Sequence, residues 1–226
     1  MSYLDNIFNF VDYEYLNPSR NAYGNLELVT AATAQVVTTD ELKSHLRITT
    51  TSENTLLATY ILAATQMAEH YCNRHFINAR YKITYNDLPD TFSLYYPDVT
   101  MSFGSANPNT DDGLFYLSSQ ISDTYVVLGF SNYILKNSNP YIFCKSSSYS
   151  EPTDAIMSKS DLEGNDGPRW KFNFTTGMGT SASDIPDAIK QAIKLIAGDM
   201  YYFREDRKRQ FPMASEILLQ PYKCYL

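Results

Sequence analysis

Two segments of this chain carry apolar residues at helical spacing over several turns, and a long stretch without that period separates them. In the first, residues 53–73, one stripe is formed by Leu56, Leu57, Tyr60, Ile61, Ala64, Met67, Ala68 and Tyr71. In the second, Ile185, Ile189, Ala192, Ile193, Ile196, Ala197, Met200 and Phe203 line one face up to the basic run Arg204 to Arg209. An amphipathic helix of this length is marginal alone in water and is stabilised by packing its stripe. The fold must therefore bring these two stripes together.

Local start signals support both helices. Thr38-Thr39-Asp40-Glu41 fits a capping box and predicts a short helix over 39–46. The hydroxyl-rich Thr49 to Ser52 is a poor helix interior and a good cap for the long helix that follows, with Glu53 at its positive end. Asp184-Ile185-Pro186-Asp187 opens the third helix, because proline in the first turn sacrifices no hydrogen bond. Met213 to Leu219 has room for one or two helical turns before Pro221.

Between the stripes, Arg80 to Tyr85, Asp123 to Phe130, Tyr141 to Lys145 and Trp170 to Phe174 are rich in β formers. Turn-forming runs at Asn107 to Gly113, Ser146 to Ser150 and Gly164 to Pro168 break them apart. The net charge of −7 is concentrated here, since 86–168 holds most of the excess acid while the flanking parts are close to neutral. Gripping nucleic acid by its phosphates calls for the opposite distribution. The 19 Tyr, within a 14% aromatic content, suit broad protein contact, and biased base composition gives the same excess. No apolar run approaches the roughly 20 residues of a membrane-spanning helix. The N-terminus, with Asp5 and no positive charge before its apolar residues, does not have the pattern of a secretory signal.

The chemistry-bearing residues form no convincing catalytic or metal pattern. His70 and His75 do not share a helix face as a metal pair would, and Cys72 lies at the end of an apolar stripe, the position of a small core residue. Cys72, Cys144 and Cys224 have no short spacing that would suggest a disulfide framework or a zinc site. Asp111-Asp112-Gly113 and Asp161 to Asp166 lack the alternating ligands of a calcium loop and are explained by turn chemistry. Gly177 to Ser181 lacks the lysine of a phosphate loop and predicts a strand-to-helix turn. Arg47, Glu69 and Arg74 flank the helices, where they are either solvated charges or caps, or form ion pairs inside or between subunits.

Two blocks of residues have a familiar order. The first contains Leu42, Leu46-Arg47-Ile48, Leu56-Leu57, Ile61, Ala63-Ala64, Glu69, Tyr71 and Arg74. The second contains Ile185-Pro186-Asp187-Ala188-Ile189-Lys190-Gln191-Ala192-Ile193, Tyr202, Arg204-Glu205, Pro212, Leu218-Leu219 and Pro221-Tyr222, with Phe174-Thr175-Thr176-Gly177 as the strand end before it. This order resembles the head-to-tail connector (head completion or adaptor) proteins of tailed bacteriophages. The resemblance implies a structural virion protein without catalytic residues, metal or cofactor. It implies a homo-oligomeric ring of about twelve copies closed by a heterologous contact, located in the neck of the virion and assembled in the host cytoplasm. It also implies contact with the portal protein and with downstream tail or neck proteins, with DNA only as passing cargo and no membrane partner.

The resulting expectation is an α+β fold, with a helical hairpin plus a long C-terminal helix forming a mainly α core and a small β-rich insertion between them. Its parts are an N-terminal arm (1–37), the hairpin and first strand (38–85), the acidic insertion (86–173), the long helix (174–205) and a C-terminal tail (206–226). The tail region is the expected portal-docking element, through Arg204, Arg207, Lys208, Arg209, Phe211, Leu218, Leu219, Tyr222 and Tyr225, since aromatic residues and arginine dominate binding energy. An alternative from another class is a recognition module in which the aromatic, Asn- and Asp-rich middle binds glycan on a host surface.

Overall fold

The computed structural model describes residues 24–94, 96–100, 111–119, 124–129, 132–136, 142–147, 168–204 and 213–225. Its helical layer begins at α1 (Thr39–Leu46), closed by the expected capping box. The Thr38 N–H donates to Glu41 Oε2 at 2.7 Å, and the Glu41 N–H donates to Thr38 Oγ1 at 3.2 Å. Arg47, in the left-handed region at φ 57°, ends the helix. The long helix α2 (Asn54–Cys72) buries Leu57, Ile61, Ala64, Ala68 and Cys72. Its N-cap is Glu53, which makes no capping bond, so the hydroxyl run before it does not serve as the cap. Helix α3 (Asp187–Tyr202) starts after Pro186 and packs on both α1 and α2, burying Ile189, Ala192, Ile193, Ile196 and Ala197. A short α4 (Met213–Leu219) completes the layer against α3 and α2.

The other half of the molecule is antiparallel β-structure. One sheet runs in the order β1 (Asn25–Thr30), β2 (Ala79–Tyr85), β9 (Trp170–Thr176), β5 (Gly113–Ser119), β6 (Thr124–Val127), and β4 (Val99–Thr100) also pairs with β9. A second sheet has the order β3 (Thr91–Ser93), β8 (Ile142–Lys145), β7 (Tyr133–Lys136). Strand β9 is central: it pairs along its whole length with β2, from Ala79↔Thr176 to Tyr85↔Trp170, and on its other edge with β5 and then β4. Phe172 on β9 meets Phe92, Tyr133 and Phe143 of the small sheet edge-on, with ring centroids 5.7, 6.4 and 5.7 Å away. Phe92 stacks on Phe143 at 4.4 Å. Much of the aromatic excess is thus spent filling the space between two sheets, where rings bring large area and favourable edge-to-face geometry.

These strands correct the expected architecture. The helices form one core, but they are not the core of the molecule: a second, separate apolar cluster built from Ala79, Ile83, Leu94, Leu114, Phe143, Phe172, Phe174 and their neighbours is of comparable extent. The fold is mixed α+β with two antiparallel sheets, and not a mainly α helical-hairpin core carrying a small β insertion. The physical reason is in β2 and β9, whose alternating residues seal the sheet core along full seven-residue strands that lie next to the helices in sequence.

The two cores meet where 76–79 runs beside 176–179. The Asn78 N–H donates to the Gly179 carbonyl at 2.8 Å and the Met178 N–H to the Phe76 carbonyl at 3.0 Å, with a parallel bridge between Ile77 and Gly179. Gly177 allows this approach: its φ is +151°, and a Cβ there would lie 2.6 Å from the backbone N and Cα of Asn78. Gly177→Ala should therefore destabilise the protein by about 2 kcal/mol or more, read from the urea midpoint. In the helical core Ile61 and Ile193 are 2% and 0% exposed. Ile61→Asp and Ile193→Asp should each cost about 3–5 kcal/mol, because each places an unpaired charge among apolar side chains. Wild-type melting of both variants would contradict the packing of α2 on α3.

Candidate assembly surfaces

Residues 213–225 form a strap that returns to the C-terminal end of α2. Leu219 is fully buried in the helical core, and Leu218 and Tyr222 pack against that core half-buried. Beyond them the Cys224 N–H donates to the Cys72 carbonyl at 2.8 Å, satisfying a group that the end of a helix leaves without an intrahelical partner. Asn73 Nδ2 donates to the Cys224 carbonyl at 2.9 Å, and Arg74 Nη1 to the Tyr222 carbonyl at 3.3 Å. The Tyr71 hydroxyl donates to Gln220 Oε1 at 2.8 Å, and the Lys223 ammonium lies 4.6 Å from the Tyr71 ring centroid. The strap's outward side presents Ile217 and Tyr225, 66% and 68% exposed.

Of the nine tail residues expected to dock, Leu218, Leu219 and Tyr222 are therefore on the inner side and Tyr225 on the outer. Arg204 lies at the end of α3, while Arg207, Lys208, Arg209 and Phe211 fall outside the described residues. Arg204 Nη2 donates to Glu53 Oε1 at 3.1 Å and the Tyr201 hydroxyl to Glu53 Oε2 at 2.7 Å. The Tyr201 bond first, and Arg204 second, hold the Glu53 carboxyl below its ordinary value. Tyr202 and Phe203 beside this cluster are exposed, as are Leu62 and Met67 on α2. The helical layer and its strap thus expose several large apolar side chains.

The flanking charges separate into two groups. Glu69 and Arg74 tie the helices to the sheet within one chain. Glu69 Oε1 accepts the Phe76 N–H at 2.8 Å, and its other oxygen lies 3.5 Å from His75 Nδ1. His75 Nε2 is in turn 2.7 Å from the Tyr81 hydroxyl. Arg74 pairs with Asp98. Arg47 is exposed on the turn after α1.

For chemistry the arrangement offers little. Burial pushes the Cys72 thiol up to about 12, away from nucleophilic use at neutral pH. Both carboxylate oxygens of Asp112 are engaged, by Arg80 Nε and by the Thr175 hydroxyl, each at 3.0 Å. Among the described residues no group of three or more His, Cys, Asp or Glu is placed to hold a metal ion. Asp161 to Asp166 lie outside them. Sequence reasoning missed the Glu53–Tyr201–Arg204 cluster and the partners of Arg74, because each joins residues far apart in the chain and no local pattern announces them.

Residues 37–100, which carry α1, α2, β2, β3 and β4, match the model of the phage gp6-like head-tail connector protein family. The chain is also similar in structure to a protein in the neck of an empty gene transfer agent particle solved with C6 symmetry, at 18% identity and a TM-score of 0.64. It is similar to chains in the virion of the native gene transfer agent particle and in the native neck solved with C12 symmetry, each at 20% identity and a TM-score of 0.60. In all three, 89% of this chain and 96% of the other are covered. At these identities the likeness is one of fold. No curated protein matches the chain.

Two outcomes follow from the site geometry. Arg74→Ala removes the tie from α2 to both Tyr222 and Asp98 and should cost about 1–3 kcal/mol, with faster hydrogen exchange across 220–225. The carboxyls of Glu53, Glu41 and Asp184 are all held low, by hydrogen bonds from Tyr201, from the Thr38 backbone and from the Ser181 backbone respectively. A lowered value in the folded chain adds stability that is complete above the ordinary value of 4.5 for Glu or 3.8 for Asp and is lost as pH falls through the lowered one. Melting temperature should fall in that acid window, and Glu53→Gln should flatten part of the fall.

Proposed function

We propose that this chain is a structural component of the neck of a tailed-phage-like particle, an adaptor whose copies form a ring between portal and tail and extend the DNA channel. The observation that carries this reading is the agreement of fold with neck proteins over 89% of the chain and 96% of theirs, joined to the connector-family match over 37–100. Those neck particles were solved with C6 and C12 symmetry, which fits a ring of about twelve copies closed by a repeated head-to-tail contact. Exposed Leu62, Met67, Tyr202 and Phe203 are the residues we assign to that contact. The net charge of −7, repeated around a ring, gives an acidic body past which DNA slides without being held by its phosphates.

In this reading the tail is the portal-docking element, through its outward residues Ile217 and Tyr225 and the basic run Arg204, Arg207, Lys208 and Arg209, while Leu219 anchors it to its own core. Further contacts with downstream tail or neck proteins, and assembly in the host cytoplasm, belong to the same proposal. Native mass measurement with negative-stain microscopy of the purified chain, alone and with its portal protein, tests it. A ring of about twelve subunits, formed alone or on the portal, is the expected result. A monomer that ignores the portal would overturn it. Ile217→Asp with Tyr225→Ala should leave folding unchanged and weaken portal binding at least about tenfold, measured by pull-down or interferometry.

A further inference from the structure

We infer that Cys72 and Cys224 are a built cross-linking site, which a low-molecular-weight disulfide such as oxidised glutathione converts into an intramolecular disulfide that fastens the strap to α2. Three observations carry this. The backbone bond from the Cys224 N–H to the Cys72 carbonyl, at 2.8 Å, sets the two residues side by side, the adjacency that a disulfide requires. Both side chains are buried at the same end of α2, at 0% and 3% exposure. Each sulfur faces a carbonyl of the strap, Cys72 Sγ that of Leu219 and Cys224 Sγ that of Tyr222, both at 3.9 Å, and after burial the charge of Cys224 is among the groups that disfavour ionisation of Cys72. The third cysteine, Cys144, sits on β8 in the small sheet.

The chemistry is two successive exchanges. With the end of the strap lifted, the Cys224 thiolate attacks one sulfur of oxidised glutathione, and one glutathione thiolate leaves as the mixed disulfide forms. As the strap returns, before burial closes over the sulfurs, the Cys72 thiolate, its proton given to solvent, attacks the Cys224 sulfur and expels the second glutathione. Two protein thiols are oxidised, one glutathione disulfide is reduced to two thiols, and the two protons released are taken up by the leaving thiolates. Burial of both sulfurs in the closed strap makes lifting of the strap the gate for oxidation and for its reversal. The closed product holds the inner side of the tail in place and presents Ile217 and Tyr225 in one geometry. On the neck reading above, a particle built under reducing conditions and released into an oxidising medium would gain this fastening after assembly.

The test uses the full chain with all three cysteines, incubated with oxidised glutathione at pH 8, unfolded and alkylated, then measured by intact mass and peptide mapping. The expected product has lost the two thiol hydrogens, links the Cys72 and Cys224 peptides within one chain, leaves Cys144 alkylated, and melts higher until a dithiol reductant restores the starting value. Cys144→Ser should still form the link, and Cys224→Ser should not. Persistent alkylation of both Cys72 and Cys224, glutathione adducts on Cys224 that never resolve, or a link involving Cys144 would overturn the inference. The readout is covalent and needs no ring, so its failure is distinguishable from failure of the neck assignment.

Discussion

Two stretches of backbone, 76–79 and 176–179, run side by side at the centre of the molecule, and everything else is organised around that contact. One side leads into the helical core through Phe76 and Ile77, and the other into the sheet core through Ala79, opposite the buried Thr176. The backbone bonds between Asn78 and Gly179 and between Met178 and Phe76 can form only because no side chain stands at 177. A glycine in the mirror-β region is entropically costly, and here the cost is offset by letting α2 and α3 share a boundary with β2 and β9. Register then propagates outward from β9, from Ala79↔Thr176 at the junction to Tyr85↔Trp170 at the far end.

A second layer of constraint sits beside this junction. Glu69 accepts from the Phe76 backbone and faces His75, His75 meets Tyr81, and Arg74 joins Asp98 before β4 to Tyr222 in the strap. Helices, sheet and C-terminal segment therefore converge on the last turn of α2 and the residues just after it. On the ring reading proposed above, such convergence keeps the internal geometry fixed while contacts are made at the periphery, where Leu62, Tyr202, Phe203 and Tyr225 are exposed. A rigid subunit loses less conformational freedom on association, which is where much of the cost of binding lies.

Legibility in the sequence followed the length scale of each signal. The capping box at Thr38 to Glu41, the stripes of α2 and α3, Pro186 before α3 and the glycine ending β9 are all local patterns, and the structure has each of them, except that Met67 and Phe203 of the stripes are exposed. Strand β1 was hidden because it lies at a sheet edge with most residues exposed, so its alternation is weak. Strand β5 was hidden for the opposite reason: from Leu114 to Leu117 it is buried on both faces and has no alternation to read. The extent of the sheet core depended on pairings across the chain, as between β2 and β9, which no window along the sequence contains. The tail illustrates the same limit, since its apolar residues were legible as a group, but only their placement separates buried Leu219 from exposed Tyr225.

The pairing of Tyr85 with Trp170 has an implication for how such a chain can change over time. The long acidic stretch between them, which itself contributes β3 to β8, starts and ends at two residues already held opposite each other. Closing a loop between fixed ends becomes costlier only logarithmically, about 0.6 kcal/mol for each doubling of its length. Length changes confined to the turn-forming runs between the strands of that stretch thus meet little thermodynamic resistance, whereas changes within β3 to β8 meet the sheet core that Phe92, Leu114, Tyr133 and Phe143 help to fill. Selection acting on those turn-forming runs is in this sense uncoupled from selection acting on the two cores, and the runs are free to be lengthened, shortened or re-purposed while the strands between them keep their packing.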